Sequence, residues 1–98
     1  MMSNPASAKS LFQFGRVVST LGVHNLIVSG ELNPSPFLRR HLQGDWGDLS
    51  ENDLRCNDAA LKTGDRLFSA YQVNNDLKLW IITESDRSVT TLLLPSEY

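Results

Sequence analysis

The chain of 98 residues has the size of one ordinary domain, and its apolar fraction of 41% is that of a globular protein. The net charge of −2 argues against broad electrostatic binding of DNA or RNA, although a local basic patch remains possible at the adjacent Arg39 and Arg40. The single cysteine, Cys56, excludes a disulfide framework or a thiolate-rich zinc site within one chain. No apolar run has the length of a membrane span. These features fit a protein of the reducing cytoplasm.

The N-terminal segment MMSNPASAKS is polar. Lys9 comes late and no apolar segment precedes it, so the segment does not have the pattern of a signal peptide. We expect a disordered lead-in over residues 1–10 and a single domain over residues 11–98. A first strand is predicted over FQFGRVVST, from Phe12 to Thr20. Residues 21–35 fit either a short strand or a helical turn.

Two helices are predicted next. The first runs from an N-cap at Ser35 to Gly44, and the second runs from an N-cap at Ser50 to Gly64. Asp53 stands three residues after Ser50, which is typical of a capping-box pair. Glycine is the residue that most often ends a helix in the left-handed conformation.

The last third of the chain predicts an antiparallel meander, because the apolar runs RLFSAYQV, LKLWIITE and VTTLLLP are separated by the turns NND and SDRS. One face is predicted to carry Trp80, Ile82, Leu92 and Leu94, and the other to carry Leu79, Ile81, Val89 and Leu93. Both faces are apolar at the centre. We expect the helices to cover one face, and a partner chain or residues 21–35 to cover the other. The predicted fold class is α+β, with an antiparallel sheet of three or four strands packed with two short helices.

The stretch HLQGDWGDLSENDLRCND, from His41 to Asp58, concentrates residue types that often serve in functional sites. The first interpretation is structural. Its glycines permit a tight corner between two helices, Trp46 packs as a plug beneath it, and Asp45 and Asp48 accept hydrogen bonds from nearby backbone. Asn57 falls on the apolar stripe of the second helix and needs buried partners, which we expect among the backbone groups of the corner.

A metal site is the second interpretation of this stretch. His41, Asp45, Asp48 and Asp53 would offer oxygen-rich ligands of the kind that suit Mg²⁺ or Mn²⁺. The spacing is not that of a calcium loop, and no pair of histidines stands at helical spacing. We therefore predict no metal and no other cofactor.

A small, metal-independent ribonuclease of the toxin type is the third interpretation. His41 and Glu84 would move protons and Arg87 would stabilise the charge on phosphorus. The order of helices followed by a meander also occurs in barnase-like and RelE-like toxins, which is an analogy of fold only. An enzyme would place these three side chains around one cleft. A connected polar network is also expected between His41, Asn57 and the end of the Trp80 strand.

Two stretches resemble a family of small, uncharacterised bacterial proteins that are carried by plasmids and integrative elements and are often labelled plasmid-related proteins. They are RRHLQGDWGDLSENDLRCNDAALKTGDRLFSAY and LWIITESDRSVTTLLLPSEY, and the match covers roughly residues 36–98. The shared pattern falls on His41, Gly44, Asp45, Trp46, Gly47, Asp53, Asn57, Gly64, Arg66, Ser69, Tyr71, Trp80, Thr83, Glu84, Asp86, Arg87, Thr90, Pro95 and Tyr98. The first 35 residues do not match clearly. The resemblance implies a mobile-element setting and carries no activity with it.

The function expected from the sequence is that of a non-enzymatic accessory protein of a mobile element, which binds a protein or nucleic-acid partner. The candidate binding residues are Asp45, Trp46, Asp53, Asn57, Arg66, Asp86 and Arg87. A homodimer through an uncovered face of the sheet is also expected, and no membrane association. The turn ESDRS is expected to hold an internal contact between Asp86 and Arg87.

Overall fold

The computed structural model describes residues 10–98, so the predicted lead-in lies outside the described residues except for Ser10. The strands are β1 (Arg16–Ser19), β2 (Leu67–Asn74), β3 (Leu77–Thr83) and β4 (Val89–Leu93). The helices are α1 (Leu21–Val28), α2 (Ser35–Leu42) and α3 (Glu51–Thr63), and a short 3₁₀ turn (Pro95–Glu97) follows β4. Within this part of the chain, no helix is both long and apolar enough to cross a membrane.

The predicted α+β class is confirmed, but the sheet is mixed rather than purely antiparallel. Its strand order is β1-β4-β3-β2, and β1 runs parallel to β4, with Arg16 opposite Val89. The three helices stand between β1 and β2 in the chain, so β1 is free to pair with the last strand of the meander in the parallel sense. Residues 21–35, for which the sequence fits either a strand or a helical turn, begin with α1, a helix in addition to the two that were predicted.

The helix boundaries follow the predicted signals closely. The Ser50 side chain accepts a hydrogen bond of 3.1 Å from the Asp53 N–H at the start of α3, and Gly64 ends that helix at a φ of 80°. The first predicted helix, α2, has its N-cap at Pro34, one residue before the expected Ser35. A shift of one residue is within the ordinary spread of helix-end definitions.

The meander is confirmed, with one error in how β4 faces. Trp80 lies opposite Leu93, and Ile81 lies opposite Leu92, so Leu93 shares a face with Trp80 and Leu92 shares the other. The predicted facing of this strand was therefore wrong throughout: Val89 and Leu93 lie on the Trp80 face, and Leu92 lies on the face of Leu79 and Ile81. Strand register depends on the geometry of the connecting turn, and a difference of one residue moves every side chain to the opposite face.

All three helices pack on one side of the sheet, which we call the inner face. The first core cluster joins α1 and α2 to the sheet and consists of Val23, Leu32, Tyr71, Leu79, Ile81 and Leu92. The second joins α3 and the corner after α2 to β2 and consists of Trp46, Ala60 and Leu67. Burial of each large apolar side chain stabilises the fold by roughly 1.5–3 kcal/mol. Because α1 also lies on the inner face, residues 21–35 do not cover the opposite side.

Candidate functional site

The corner between α2 and α3 is packed around Trp46, as the structural interpretation predicted. Trp46 is 2% exposed, lies with its ring centroid 6.2 Å from that of Phe12, and donates its indole N–H to the Asp58 carboxylate at 3.1 Å. The indole therefore has both its apolar packing and its polar partner inside the protein. This leaves it no free group for a ligand.

The same corner protects the outer edge of β2, which is an edge strand of the sheet. The Ala70 N–H donates to the Trp46 carbonyl at 3.0 Å, and the Asp48 N–H donates to the Ala70 carbonyl at 2.6 Å. Gly47 makes this close approach possible, because a Cβ at its position would lie 2.1 Å from the Ala70 carbonyl oxygen. Unpaired strand edges invite pairing with other chains. The backbone of residues 46–48 thus completes this edge of the sheet, and Gly47 gives it the room to do so.

Asn57 extends this edge protection from α3. Its side-chain NH₂ donates to the Phe68 carbonyl at 2.5 Å, and its side-chain oxygen accepts from the Phe68 N–H at 3.0 Å. The expected burial of Asn57 is confirmed at 5% exposure, but the expected partners at the corner are wrong. An amide side chain matches the donor and acceptor of one strand residue, and α3 places it beside β2 rather than beside the corner.

His41 is fully buried at 0% exposure and fastens α2 to the sheet. Its Nδ1 lies 2.5 Å from the Ser69 hydroxyl of β2, and its Nε2 lies 2.9 Å from the Thr83 hydroxyl of β3. The Thr83 hydroxyl lies 2.7 Å from that of Thr90, which donates at 2.8 Å to the carbonyl of Phe14. One chain of hydrogen bonds therefore crosses β2, β3 and β4 and ends beside β1.

The carbonyl at the end of this series of hydrogen bonds determines which group donates in each of them. A backbone carbonyl can only accept, so Thr90 uses its hydroxyl proton there and must accept from Thr83. Thr83 then has no proton left for the imidazole and accepts from Nε2–H of His41. It follows that Nδ1 of His41 is unprotonated and accepts from Ser69. His41 is therefore the neutral Nε2–H tautomer.

Burial, and to a smaller extent the positive charge of Arg87, together lower the pKa of His41 to about 3. The ring also has Phe12 and Trp46 packed edge-on, with centroids 5.2 and 5.5 Å away. A neutral imidazole that has both nitrogens bonded and no solvent contact cannot exchange protons with a substrate. The predicted link between His41 and the end of β3 is present through Thr83, whereas Asn57 bonds the Phe68 backbone and does not join this network.

The other members of the catalytic interpretation lie elsewhere. Glu84 follows β3 and approaches Arg66 at 3.5 Å, with 42% of its side chain exposed. Arg87 has a φ of 61°, and its guanidinium donates to backbone carbonyls at the end of α3, at 2.6 Å to Asp65 and 3.1 Å to Ala60. His41 is buried between α2 and the inner face of the sheet, whereas the Glu84 side chain is partly exposed beside Arg66, so the structure does not bring the three side chains to one cleft.

Asp86 does not make the predicted contact with Arg87. Its carboxylate accepts from the N–H and hydroxyl of Ser88, at 3.0 and 2.6 Å, and these bonds lower the pKa of Asp86. The Arg87 guanidinium instead donates to backbone carbonyls, those of Glu84 and Ser85 in the same turn and those of Asp65 and Ala60 at the end of α3.

Asp45, at the start of the corner, likewise has protein partners. Arg40 donates to both carboxylate oxygens of Asp45, at 2.7 and 3.2 Å, and this pair lowers the pKa of Asp45. The Asp45 carbonyl accepts from the Tyr71 hydroxyl at 2.6 Å. Asp53 lies in the exposed first turn of α3. Among residues 10–98, no group of three or more His, Cys, Asp or Glu side chains is placed to hold a metal ion.

The opposite side of the sheet, which we call the outer face, has no α-helix packed on it, since both core clusters lie on the inner face. Strand alternation and register place these side chains on it: Arg16, Val18, Arg66, Phe68, Ala70, Gln72, Lys78, Trp80, Ile82, Glu84, Val89, Thr91 and Leu93. Phe68 and Trp80 are half-buried, Val18 is exposed, and the nearby Tyr98 is 74% exposed. Ala70, Ile82 and Leu93 on this face are buried, so its accessible apolar surface is centred on Phe68, Trp80 and Tyr98. Such an aromatic patch with a polar rim is typical of an interaction site.

Three aromatic rings form the walls of a cleft at one end of the outer face. The ring centroids of Phe68 and Trp80 are 5.0 Å apart with planes at 88°, and those of Trp80 and Tyr98 are 5.7 Å apart with planes at 68°. The cleft has a volume of about 320 Å³ and is completed by Ile82 and Arg66. Arg66 donates to the Tyr98 hydroxyl at 3.3 Å, which holds that side chain at the mouth of the cleft.

Only one of the predicted binding residues, Arg66, lies at this cleft. The sequence does contain a signal for Phe68, Trp80 and Ile82, the cleft residues that were not predicted. Each alternates along its strand with buried neighbours, which places them together on the opposite face of the sheet. The contribution of Tyr98 was not readable, because the 3₁₀ turn after β4 brings the end of the chain back to β3.

Comparison of the chain with protein-family models, with curated proteins and with solved structures found no match. Inferences about function therefore depend on the chemistry of the side chains.

Proposed function

We propose that this protein is a non-enzymatic accessory module of a bacterial mobile element that binds a protein or nucleic-acid partner through the outer face of its sheet. The observation that carries the proposal is the aromatic cleft between Phe68, Trp80 and Tyr98 on a sheet face that no helix covers. Exposed apolar patches with a polar rim mark interaction sites. The resemblance of residues 36–98 to plasmid-related proteins supports the mobile-element setting, and the single free cysteine supports a cytoplasmic one.

A binding role also fits the way in which the polar residues are used. The polar groups of three candidate residues form hydrogen bonds within the protein, namely those of His41, Asn57 and Arg87. Within the described part of the chain, no buried side-chain nitrogen or oxygen lacks a partner. The ribonuclease alternative requires an accessible proton-transfer group, and His41 has no exposure. We therefore favour the binding module over the enzyme.

The test blocks the outer face and leaves the rest of the surface unchanged. Thr91 lies on this face opposite Ile82, which lines the cleft. Thr91→Glu places a charged side chain beside the cleft, and Asn52→Glu makes the matched change on the exposed surface of α3. Immobilised wild type and both variants are exposed to a bacterial extract, with and without nuclease. We expect capture of a partner that Thr91→Glu abolishes and Asn52→Glu leaves unchanged.

Sensitivity to nuclease then distinguishes a nucleic-acid partner from a protein partner. Equal capture by wild type and Thr91→Glu, at equal thermal stability, would show that the outer face is not the binding surface.

A further inference from the structure

The outer face has a charge opposite to that of the whole chain. The chain carries a net charge of −2, with eleven acidic residues against nine basic ones. Among the outer-face side chains defined above, the charged ones are Arg16, Arg66, Lys78 and Glu84. Three cations against one carboxylate make this face locally positive. Because Glu84 lies 3.5 Å from Arg66 and offsets its charge, the excess of positive charge comes from Lys78 and Arg16, and it favours an anionic partner.

The cations are spread along the face and around the aromatic cleft. Arg66 stands at the mouth of the cleft, 52% exposed. Lys78 is two residues before Trp80 on the same face of β3, and Arg16 lies across the sheet on β1; both are exposed. A ligand that fills the cleft and extends over the sheet therefore meets separate positive charges. An extended polyanion meets this requirement.

The cleft itself is suited to a flat ring. Its volume of about 320 Å³ lies at the lower end of the range for small-ligand pockets, roughly 300–1,000 Å³. Its walls are the rings of Phe68, Trp80 and Tyr98, and aromatic side chains stack on nucleobases of any sequence. The Arg66 guanidinium beside them adds a planar cation that both stacks and contacts phosphate. Duplex bases are already stacked and paired, so only a single strand offers a free ring.

We propose that the occupant of the outer face is a single-stranded nucleic acid, with one base in the aromatic cleft and its phosphates along Arg66, Lys78 and Arg16. This inference rests on the proposed function, since it names the partner of the same surface. A second copy of the chain is disfavoured as occupant, because the face would bring like charges together.

The experiment measures fluorescence anisotropy of labelled 12-nucleotide single strands, as RNA and as DNA of one sequence, and of the corresponding duplex. We expect both single strands to bind more tightly than the duplex; the RNA and DNA arms show which sugar is preferred. Trp80→Leu is expected to weaken binding about 5- to 150-fold, the range for loss of one stacked base. With up to three phosphate contacts, the slope of log K against log salt concentration is expected to be about −2.

Lys78→Gln tests the electrostatic part without touching the core, since Lys78 is exposed. It is expected to reduce the magnitude of the salt slope by about 0.7, whereas Lys62→Gln on α3 leaves it unchanged. Circular dichroism and thermal melting identify any variant whose fold is disturbed. If Trp80→Leu fails to fold, the comparison of the two lysine variants decides the question.

Three results would overturn the inference: no binding of either single strand at 100 micromolar protein and low salt, equal binding by folded Trp80→Leu, or equal salt slopes for the two lysine variants. Sedimentation that shows a dimer abolished by Thr91→Glu would also overturn it, in favour of a second copy on this face. These outcomes leave the proposed function standing if Thr91→Glu still abolishes partner capture. The proposed function itself is overturned only if Thr91→Glu captures the partner as well as the wild type does.

Discussion

The buried imidazole of His41 makes the stability of the protein depend on pH in a defined window. In the unfolded chain a histidine titrates near 6.5, and in the folded protein the pKa of His41 is lowered to about 3, first by burial and then by the charge of Arg87. Between these values the unfolded chain binds a proton that the folded protein does not. The contribution of His41 to stability is therefore fully present above pH 6.5 and is lost as the pH falls towards 3.

The size of the effect follows from the two pKa values. One pKa unit corresponds to about 1.36 kcal/mol, so the free energy of unfolding is expected to fall by about 1.4 kcal/mol per pH unit below 6.5. Between pH 7 and pH 4.5 the loss amounts to about 3 kcal/mol. A limit of pH 4.5 keeps the measurement above the range in which most carboxylates take up protons.

The assay is urea unfolding followed by circular dichroism at several pH values between 7 and 4.5. The slope is expected in the wild type and in His24→Gln, which replaces an exposed histidine, and is expected to be absent in His41→Gln. The same pH dependence in wild type and His41→Gln would refute the reasoning.

Nitrogen-15 NMR of the imidazoles gives an independent check if His41→Gln does not fold. His41 is expected to stay neutral at pH 5 as the Nε2–H tautomer, which the hydrogen-bond chain through Thr83 and Thr90 requires. A protonated ring, or an Nδ1–H tautomer, would contradict that assignment.

Three further predictions concern the corner and the protected edge of β2, each measured by urea unfolding. Trp46→Ala removes the side chain around which the corner packs and is expected to lower the free energy of unfolding by roughly 3–5 kcal/mol; an unchanged urea midpoint would contradict the packing. Asn57→Leu leaves both backbone groups of Phe68 without partners and is expected to destabilise by about 2 kcal/mol despite the added apolar surface, so a stabilised variant would refute the pairing. Gly30→Ala, which has open space around it, is expected to lose only about 1–2 kcal/mol, which is what a left-handed backbone costs an alanine. Gly47→Ala has the same backbone cost and adds a clash of its Cβ with the Ala70 carbonyl oxygen, 2.1 Å away, so it is expected to lose more. Equal losses would disprove the close approach.

The stretch from His41 to Asp58 shows why a cluster of chemically versatile residues is weak evidence for a site. Several of its residues have a structural partner: Gly47 admits Ala70, Trp46 bonds Asp58, and His41 bonds Ser69 and Thr83. An edge strand needs its free backbone groups paired, and a corner needs residues that tolerate left-handed backbone. These two requirements account for the composition of the stretch.

Local features of the fold were predictable from the sequence, because neighbouring residues determine them. Ser50 caps α3 through Asp53, Gly64 ends it, and the alternating apolar runs after Arg66 define the meander. The burial of Trp46 and Asn57 also followed from their positions in the pattern. Each of these depends on contacts over a few residues or on simple periodicity.

Features that depend on contacts between distant residues were decided only by the tertiary structure. The facing of Leu92 and Leu93 depends on the register of β4 against β3, the parallel pairing of β1 on the path of three helices, and the partner of Asn57 on where α3 lies beside β2. The outer face emerged in the same way. Alternation showed two apolar faces, but only the packing of all three helices on one side left Trp80 and its neighbours open to a partner.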